Sequence, residues 1–133
     1  MPQLQTTVLT DRSTPTPVNH TFVPRDIVGN VGTVTESSGV PVGNSNLSVS
    51  LRKTPSGKFK GVVHLAVPVT QTETINGVDR PIVVRTAYAS CEFTFDESST
   101  EQERKNLVGM LASGLDSSKT LVNDTLIKLQ GVY

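Results

Sequence analysis

Hydrophobic and polar residues alternate with a period of two from Leu47 to Val67. The first arm alternates Leu47, Val49 and Leu51 with serine and arginine, and a Thr54-Pro-Ser-Gly57 turn signal follows it. The apolar side of the return arm holds four residues, Phe59, Val63, Leu65 and Val67. Its other side holds Lys58, Lys60, Val62, His64 and Ala66. The pattern predicts a β-hairpin with one buried face and one polar, basic face.

Further strands are predicted on both sides of this hairpin. Residues 82–95 alternate again, with Cys91 and Phe93 on the apolar face and Tyr88 and Ser90 on the polar face. Shorter strands are predicted at residues 4–10, 18–23 and 31–36, which proline and glycine separate. The polar stretch 70–81 is predicted to be a loop with an Asn76-Gly77 turn.

The hydrophobic period changes near Ser98. Two apolar stripes of helical spacing follow, one from Leu107 to Leu115 and one from Leu121 to Leu129. Ser98 with Glu101, and Ser99 with Gln102, have the spacing of a capping box. Strands followed by helices indicate an α+β fold with helices on one face of an antiparallel sheet. Because two short helices cannot cover a sheet of six or seven strands, we expect an obligate homodimer.

Composition is that of one soluble domain: 133 residues, 35% of them hydrophobic. The chain has no apolar run of membrane-spanning length and no secretion signal at its start, so we expect no membrane partner. The twelve basic and twelve acidic residues are segregated. No acidic residue lies between Glu36 and Glu73, and no Lys or Arg lies between Thr86 and Glu103. The segregation allows one positive face, although the lysines also suit a hairpin that they merely keep soluble.

Candidate active sites are poor. The chain has two histidines, His20 and His64, and one cysteine, Cys91. A Cys91–His64 dyad requires both side chains in one cleft, but the strand phases put them on opposite faces of the sheet. Since metal-ligand spacings and a phosphate-binding loop are also missing from the sequence, we predict no enzyme, no metal and no cofactor. A hydrolase is the disfavoured alternative.

The polar faces of the predicted strands suit RNA. Together they collect Ser48, Ser50, Arg52, Lys58, Lys60, His64, Tyr88, Ser90 and Glu92. Basic side chains attract phosphate, serine hydroxyls can hydrogen-bond base edges, and a tyrosine ring can stack on an unpaired base. In the alternative interpretation, Tyr88 only covers part of an exposed sheet and Glu92 only neutralises Lys60.

Several segments resemble the coat proteins of small positive-strand RNA bacteriophages, the levivirus family. The similarity spans nearly the whole chain and depends on the order and spacing of six segments together. These are Phe22-Val-Pro-Arg-Asp-Ile27, Ser48-Val-Ser-Leu-Arg-Lys53, Asn76-Gly-Val with Pro81, Val84-Arg-Thr-Ala-Tyr88, Ser99-Thr-Glu-Gln-Glu-Arg104 and Leu129-Gln-Gly-Val-Tyr133.

The resemblance implies a single coat-protein domain over residues 1–133. An N-terminal β-hairpin and a five-stranded antiparallel sheet (about 1–96) would precede two dimerising helices (about 98–130) that interlock with a second subunit into a ten-stranded sheet. Such dimers assemble in the host bacterial cytoplasm into the icosahedral shell of the virion, which encloses the single-stranded RNA genome. Loop 70–81 would surround the openings of that shell. The dimers also bind an RNA hairpin at the replicase start and repress its translation.

The same resemblance assigns roles to residues of the polar face. The pocket for an unpaired adenine would involve Val31, Ser48, Ser50, Val62 and His64. Tyr88 would stack on a loop base with Ser90 beside it, and Arg52, Lys58 and Lys60 would contact phosphates. This sequence has Val62 where relatives often have threonine and His64 where lysine is common, and residues 70–81 lack cysteine. The alternative function is a cellular RNA-binding dimer with the same β-platform that builds no shell.

Overall fold

The computed structural model describes residues 2–37 and 41–132, so the terminal Tyr133 of the family-like segments lies outside the described residues. The described residues form six strands, two α-helices and a short 3-10 helix at Pro41–Gly43 between the third and fourth strands. The strands and α-helices are numbered along the chain. In chain order these are β1 (Thr7–Thr10), β2 (Asn19–Val28), β3 (Val31–Glu36), β4 (Ser45–Lys53), β5 (Phe59–Ile75), β6 (Val78–Phe95), α1 (Glu101–Gly114) and α2 (Thr120–Ile127). The chain divides into a sheet unit, Met1–Thr94, and a helical unit, Phe95–Tyr133.

Strand order in the sheet follows the chain, β1-β2-β3-β4-β5-β6, and the registered pairs from β1 to β5 are antiparallel. Strand β2 has two partners in succession. Its first residues, through Phe22, pair with β1, and the residues from Val23 onward pair with β3. The register shifts between Pro24 and Asp26, where proline has no backbone N–H to donate. The N-terminal hairpin is therefore continuous with the sheet. The part of β2 that pairs with β3 forms, with β3, β4, β5 and β6, the five-stranded sheet that the resemblance implied.

The far ends of β5 and β6 correct the prediction of a loop at residues 70–81. Strand β5 continues to Ile75 and β6 begins at Val78, so the turn between them is only Asn76-Gly77. Asn76 and Gly77 have φ of 53° and 77°, the left-handed pair of a tight hairpin turn. The Thr74 hydroxyl donates to a carboxylate oxygen of Asp79 at 2.5 Å across it. The polarity of this segment reflects its exposure, because threonine and valine form strands well even without burial.

Helix α1 has its N-cap one residue after Ser99 and two residues after Ser98, the N-cap positions of the two predicted capping boxes. Its N-cap is Thr100, whose hydroxyl accepts a hydrogen bond from the backbone N–H of Glu103 at 3.2 Å. The Ser98 and Ser99 hydroxyls lie in the turn before the helix, where both donate to Asp96, at 2.8 and 2.7 Å. Helix α2 ends at Ile127, before the predicted Leu129. Neither helix of the described chain is long and apolar enough to cross a membrane.

Burial is sparse throughout the described residues. Phe22 and Val34 are the buried hydrophobic side chains, at 3% and 5% exposure. Neither helix has a buried residue, and Met110 on α1 and Leu121 on α2 remain 69% and 68% exposed. One chain therefore leaves apolar side chains in solvent on both of its units.

Candidate nucleic-acid interface

Cross-strand register places the predicted pocket residues on one face of the sheet. Residues directly opposite each other in an antiparallel sheet share a face. One row across β3, β4 and β5 consists of Val31, Ser50 and Val62. The next row consists of Thr33, Ser48 and His64. All five of the residues assigned to the pocket by resemblance therefore lie in two adjacent rows, which we call the polar face.

Strand β6 extends the polar face beyond His64. The rings of His64 and Tyr88 stack, with centroids 6.0 Å apart and planes inclined by 27°. Lys60 Nζ lies 2.9 Å from a carboxylate oxygen of Glu92. Since side chains two residues apart on a strand share a face, Ser90 lies on the polar face between Tyr88 and Glu92. The Tyr88 ring is 71% exposed and so remains accessible to a ligand.

The basic residues cluster at the β4–β5 end of the polar face. Arg52 and Lys60 are directly opposed in the register. Lys58 was predicted on the return arm but lies just before β5, directly after the turn that the hydrogen bond from Gly57 N–H to the Thr54 carbonyl closes at 2.9 Å. Nine of the ten predicted site residues thus share the polar face, and Lys58 stands at the hairpin end beside it.

Two threonines of β3 belong to the polar face and were missed from the sequence. Thr33 lies 3.4 Å from the Ser48 hydroxyl, and Thr35 donates to the Asn46 side chain at 2.6 Å. Both threonines are buried, at 8% and 7% exposure. Their hydroxyls link β3 to the directly opposed Ser48 and Asn46 of β4. The sequence could have indicated them, because Thr33 and Thr35 are two and four residues after Val31 and so share its face of the strand.

Comparison with known proteins identifies this arrangement. A model of the levivirus coat protein family matches residues 2–133. The chain belongs to the levivirus coat protein family. It is 53% identical over 131 residues to the capsid protein of Pseudomonas phage PRR1, which covers 98% of this chain and 99% of that protein. This is therefore a levivirus capsid protein.

Solved structures of levivirus coats share the fold. The virus-like particle of bacteriophage ESE058 has a TM-score of 0.84 at 26% identity, over 99% of this chain and 100% of that one. The capsid protein of bacteriophage GA has a TM-score of 0.84 at 23% identity, over 98% of both chains. An unassembled coat protein dimer described as an RNA-binding dimer has a TM-score of 0.70 at 18% identity, over 98% of both chains.

Cys91 and His64 lie on opposite faces of the sheet in this coat protein. His64 stacks on Tyr88, whereas Cys91 stands between Ser90 and Glu92 and so points to the other side of β6. Cys91 is a half-buried free thiol. The rejected Cys91–His64 dyad is therefore incompatible with the geometry, as the strand phases predicted.

The coat protein has a second polar cluster, around His20, that sequence analysis did not find. His20 Nε2 lies 2.6 Å from Asp11 Oδ2, and Nδ1 lies 2.8 Å from Glu36 Oε2. Both ring nitrogens face carboxylates, a geometry that the doubly protonated imidazolium satisfies by donating from each. Hydrogen bonds to Asp11 and Glu36 accordingly raise the pKa of His20. The cluster joins the loop after β1 to the end of β3.

Asp11 also closes the β1–β2 loop. Its Oδ1 accepts hydrogen bonds from the backbone N–H groups of Ser13 and Val18, at 2.9 and 2.8 Å. The bond from His20 and these two backbone bonds hold the pKa of Asp11 well below its ordinary value. The cluster borders a cavity of about 300 Å³ whose other lining is Leu9, Thr10, Phe22, Ser45, Leu65 and Val67. Leu65 and Val67 alternate with His64, so this cavity opens on the apolar face. No group of His, Cys, Asp or Glu in the described parts of the chain is arranged to hold a metal ion.

Proposed function

We propose that this coat protein forms an obligate homodimer, that the dimers assemble into an icosahedral shell around the single-stranded RNA genome, and that a dimer binds an RNA hairpin to repress replicase translation. The observation that carries the RNA-binding part is the polar face. It combines a stacked aromatic pair, a row of hydroxyls and opposed basic side chains on one surface.

Exposed apolar surface supports the dimer. On the apolar face of β4, Val49 and Leu51 are 52% and 62% exposed, and the helical unit has exposed leucines as well. A second copy is the partner that a coat subunit always has available. An isologous interface between two copies buries the same apolar side chains of both chains.

The chemistry of the polar face suits an RNA hairpin with unpaired bases. Val31 and Val62 flank the Ser50 hydroxyl in one row, which offers a base two apolar contacts and one hydrogen-bonding group. The exposed Tyr88 ring, supported from one side by His64, offers a stacking surface to a second base. Arg52, Lys58 and Lys60 supply the phosphate attraction that positions the RNA.

This function is structural and regulatory, with no catalytic step, and it places the protein in the virion after assembly in the cytoplasm of the host. One solved coat protein of the same fold is an unassembled RNA-binding dimer, so RNA binding by a free dimer is tested separately from assembly.

Two measurements on the recombinant chain test the proposal. Size-exclusion chromatography and negative-stain microscopy, with and without RNA, should show dimers and closed particles. Filter binding should show that the dimer retains RNA hairpins selected from a pool with randomised loops. Dimers that never form particles at any salt or RNA concentration would indicate the shell-free RNA-binding alternative. A dimer from which no hairpin can be selected would refute the repressor function.

A further inference from the structure

Glu92 is an acidic residue among the groups that would meet RNA phosphates. Its carboxylate oxygen lies 2.9 Å from Lys60 Nζ, and Lys60 in turn is opposite Arg52 in the register. The Lys60 side chain is 27% exposed and the Glu92 side chain 54% exposed. The negative partner of this ion pair is therefore the more accessible one.

The ion pair weakens contacts that depend on phosphate alone. A phosphate that approaches Lys60 meets an ammonium group already neutralised, and it also approaches the more exposed carboxylate. Bases that stack on Tyr88 add binding energy that does not depend on the charge of Glu92, because stacking depends on ring contact. A hairpin positioned by its stacked bases takes phosphate contacts from Arg52 and Lys58 as well as from Lys60, so it depends less on the paired ammonium group. The Lys60–Glu92 pair therefore weakens RNA binding through phosphates more than RNA binding through stacked bases.

We propose that Glu92 is a specificity-determining residue that suppresses the binding of unstructured RNA through its phosphates while it leaves the binding of hairpins with stacked bases nearly intact. The inference depends on the proposed RNA-binding function of the polar face. It assigns to Glu92 a role that the neutralisation of Lys60 alone does not describe, namely selection among RNAs.

Glu92→Gln tests this role, since it removes the charge and keeps the size of the side chain. Binding of the dimer to a twenty-nucleotide oligouridylate and to a selected RNA hairpin is measured at several salt concentrations. For oligouridylate we expect Glu92→Gln to tighten binding by about fivefold at low salt. The slope of log affinity against log salt should steepen by about 0.7, which corresponds to one more neutralised phosphate on a single strand. Hairpin affinity should change by less than about twofold, so the preference for the hairpin falls.

Glu101→Gln is the matched control. It makes the same change in net charge and also breaks a Glu–Lys ion pair, because Glu101 lies 3.7 Å from Lys105 on α1. We expect this variant to bind both RNAs like the wild type. Size-exclusion chromatography establishes that each variant is still a dimer.

Three results would overturn the inference: no change in Glu92→Gln, an equal change in Glu92→Gln and Glu101→Gln, or a hairpin affinity that rises as much as that for oligouridylate. Failure of the proposed function is a different result. In that case the wild-type dimer itself retains neither RNA at low salt.

Discussion

Replacement of Tyr88 with alanine removes the stacking surface of the polar face. The ring is 71% exposed and lies against His64 with a centroid separation of 6.0 Å, so it is held from one side and accessible from the rest. Stacking of a base on an aromatic side chain contributes about 1–3 kcal/mol. Tyr88→Ala should therefore weaken binding of a selected RNA hairpin by about 5- to 150-fold. Because Tyr88 contributes little buried area, folding and dimerisation should be unaffected.

The assay is filter binding at fixed salt, with Tyr88→Phe as the matched control. Phenylalanine keeps the ring and loses only the hydroxyl, so its affinity should stay within about threefold of the wild type. Negative-stain microscopy should still show particles for both variants, because the substitution leaves the exposed apolar surfaces unchanged. Unchanged affinity in Tyr88→Ala would refute the stacking role. A loss in Tyr88→Phe as large as that in Tyr88→Ala would assign the effect to the hydroxyl and not to the ring.

Three further substitutions test the dimer, the His20 cluster and the helix cap. Leu111 on α1 is 38% exposed in one chain. Leu111→Ala should destabilise the dimer by about 2–5 kcal/mol, which size-exclusion chromatography of dilute protein would detect as monomer. A stable folded monomer of the wild-type chain would contradict this prediction. Since the pKa of His20 is raised above 6.5 by its two carboxylates, the stability that the cluster contributes is complete below pH 6.5 and is lost as the pH rises through the raised value. Urea unfolding of His20→Gln should lack this alkaline decline, and wild-type and variant curves that run parallel with pH would argue against it. On the acid side, the stability that the lowered pKa of Asp11 contributes is complete well above pH 3.8 and is lost progressively as the pH falls below that value. Thr100→Ala removes the N-cap of α1 and should lower the free energy of unfolding by about 1 kcal/mol, whereas Thr100→Ser should lower it much less. Equal unfolding midpoints for the two variants would exclude a capping role.

The centre of the fold was predictable because its signal is local. Both arms of the β4–β5 hairpin alternate strictly, and the turn at Thr54–Gly57 fixes their register. From that register alone, Ser48, Ser50 and His64 are placed on one face. The position of Tyr88 next to His64 followed from the same alternation in β6, although the contact itself required the strands to be neighbours.

The ends of the elements were less predictable because competing local interactions decide them. The loop predicted at residues 70–81 is strand, since exposed β-branched residues satisfy strand geometry without an apolar pattern. The cap of α1 is Thr100, whose hydroxyl accepts from the Glu103 N–H, whereas the two preceding serines form a turn in which they donate to Asp96. The period of hydrophobic residues indicates neither how far an exposed strand extends nor which hydroxyl caps a helix.

The His20 cluster shows what sequence patterns leave out entirely. Asp11 and Glu36 are nine and sixteen residues from His20 in the chain, and only the pairing of β2 with both β1 and β3 brings them to one ring. No spacing rule connects three such positions. The pairing of Lys60 with Glu92, in contrast, was named from the sequence as an alternative interpretation, and the structure has it at 2.9 Å.

The central claim is that the polar face of the sheet contacts RNA inside the particle. Ultraviolet cross-linking of assembled particles, followed by mass spectrometry of the RNA-linked peptides, tests it most directly. We expect cross-links on β4, β5 and β6 that include Tyr88 and His64. Cross-links confined to the apolar face around Phe22 and Leu65, or to α1 and α2, would contradict it.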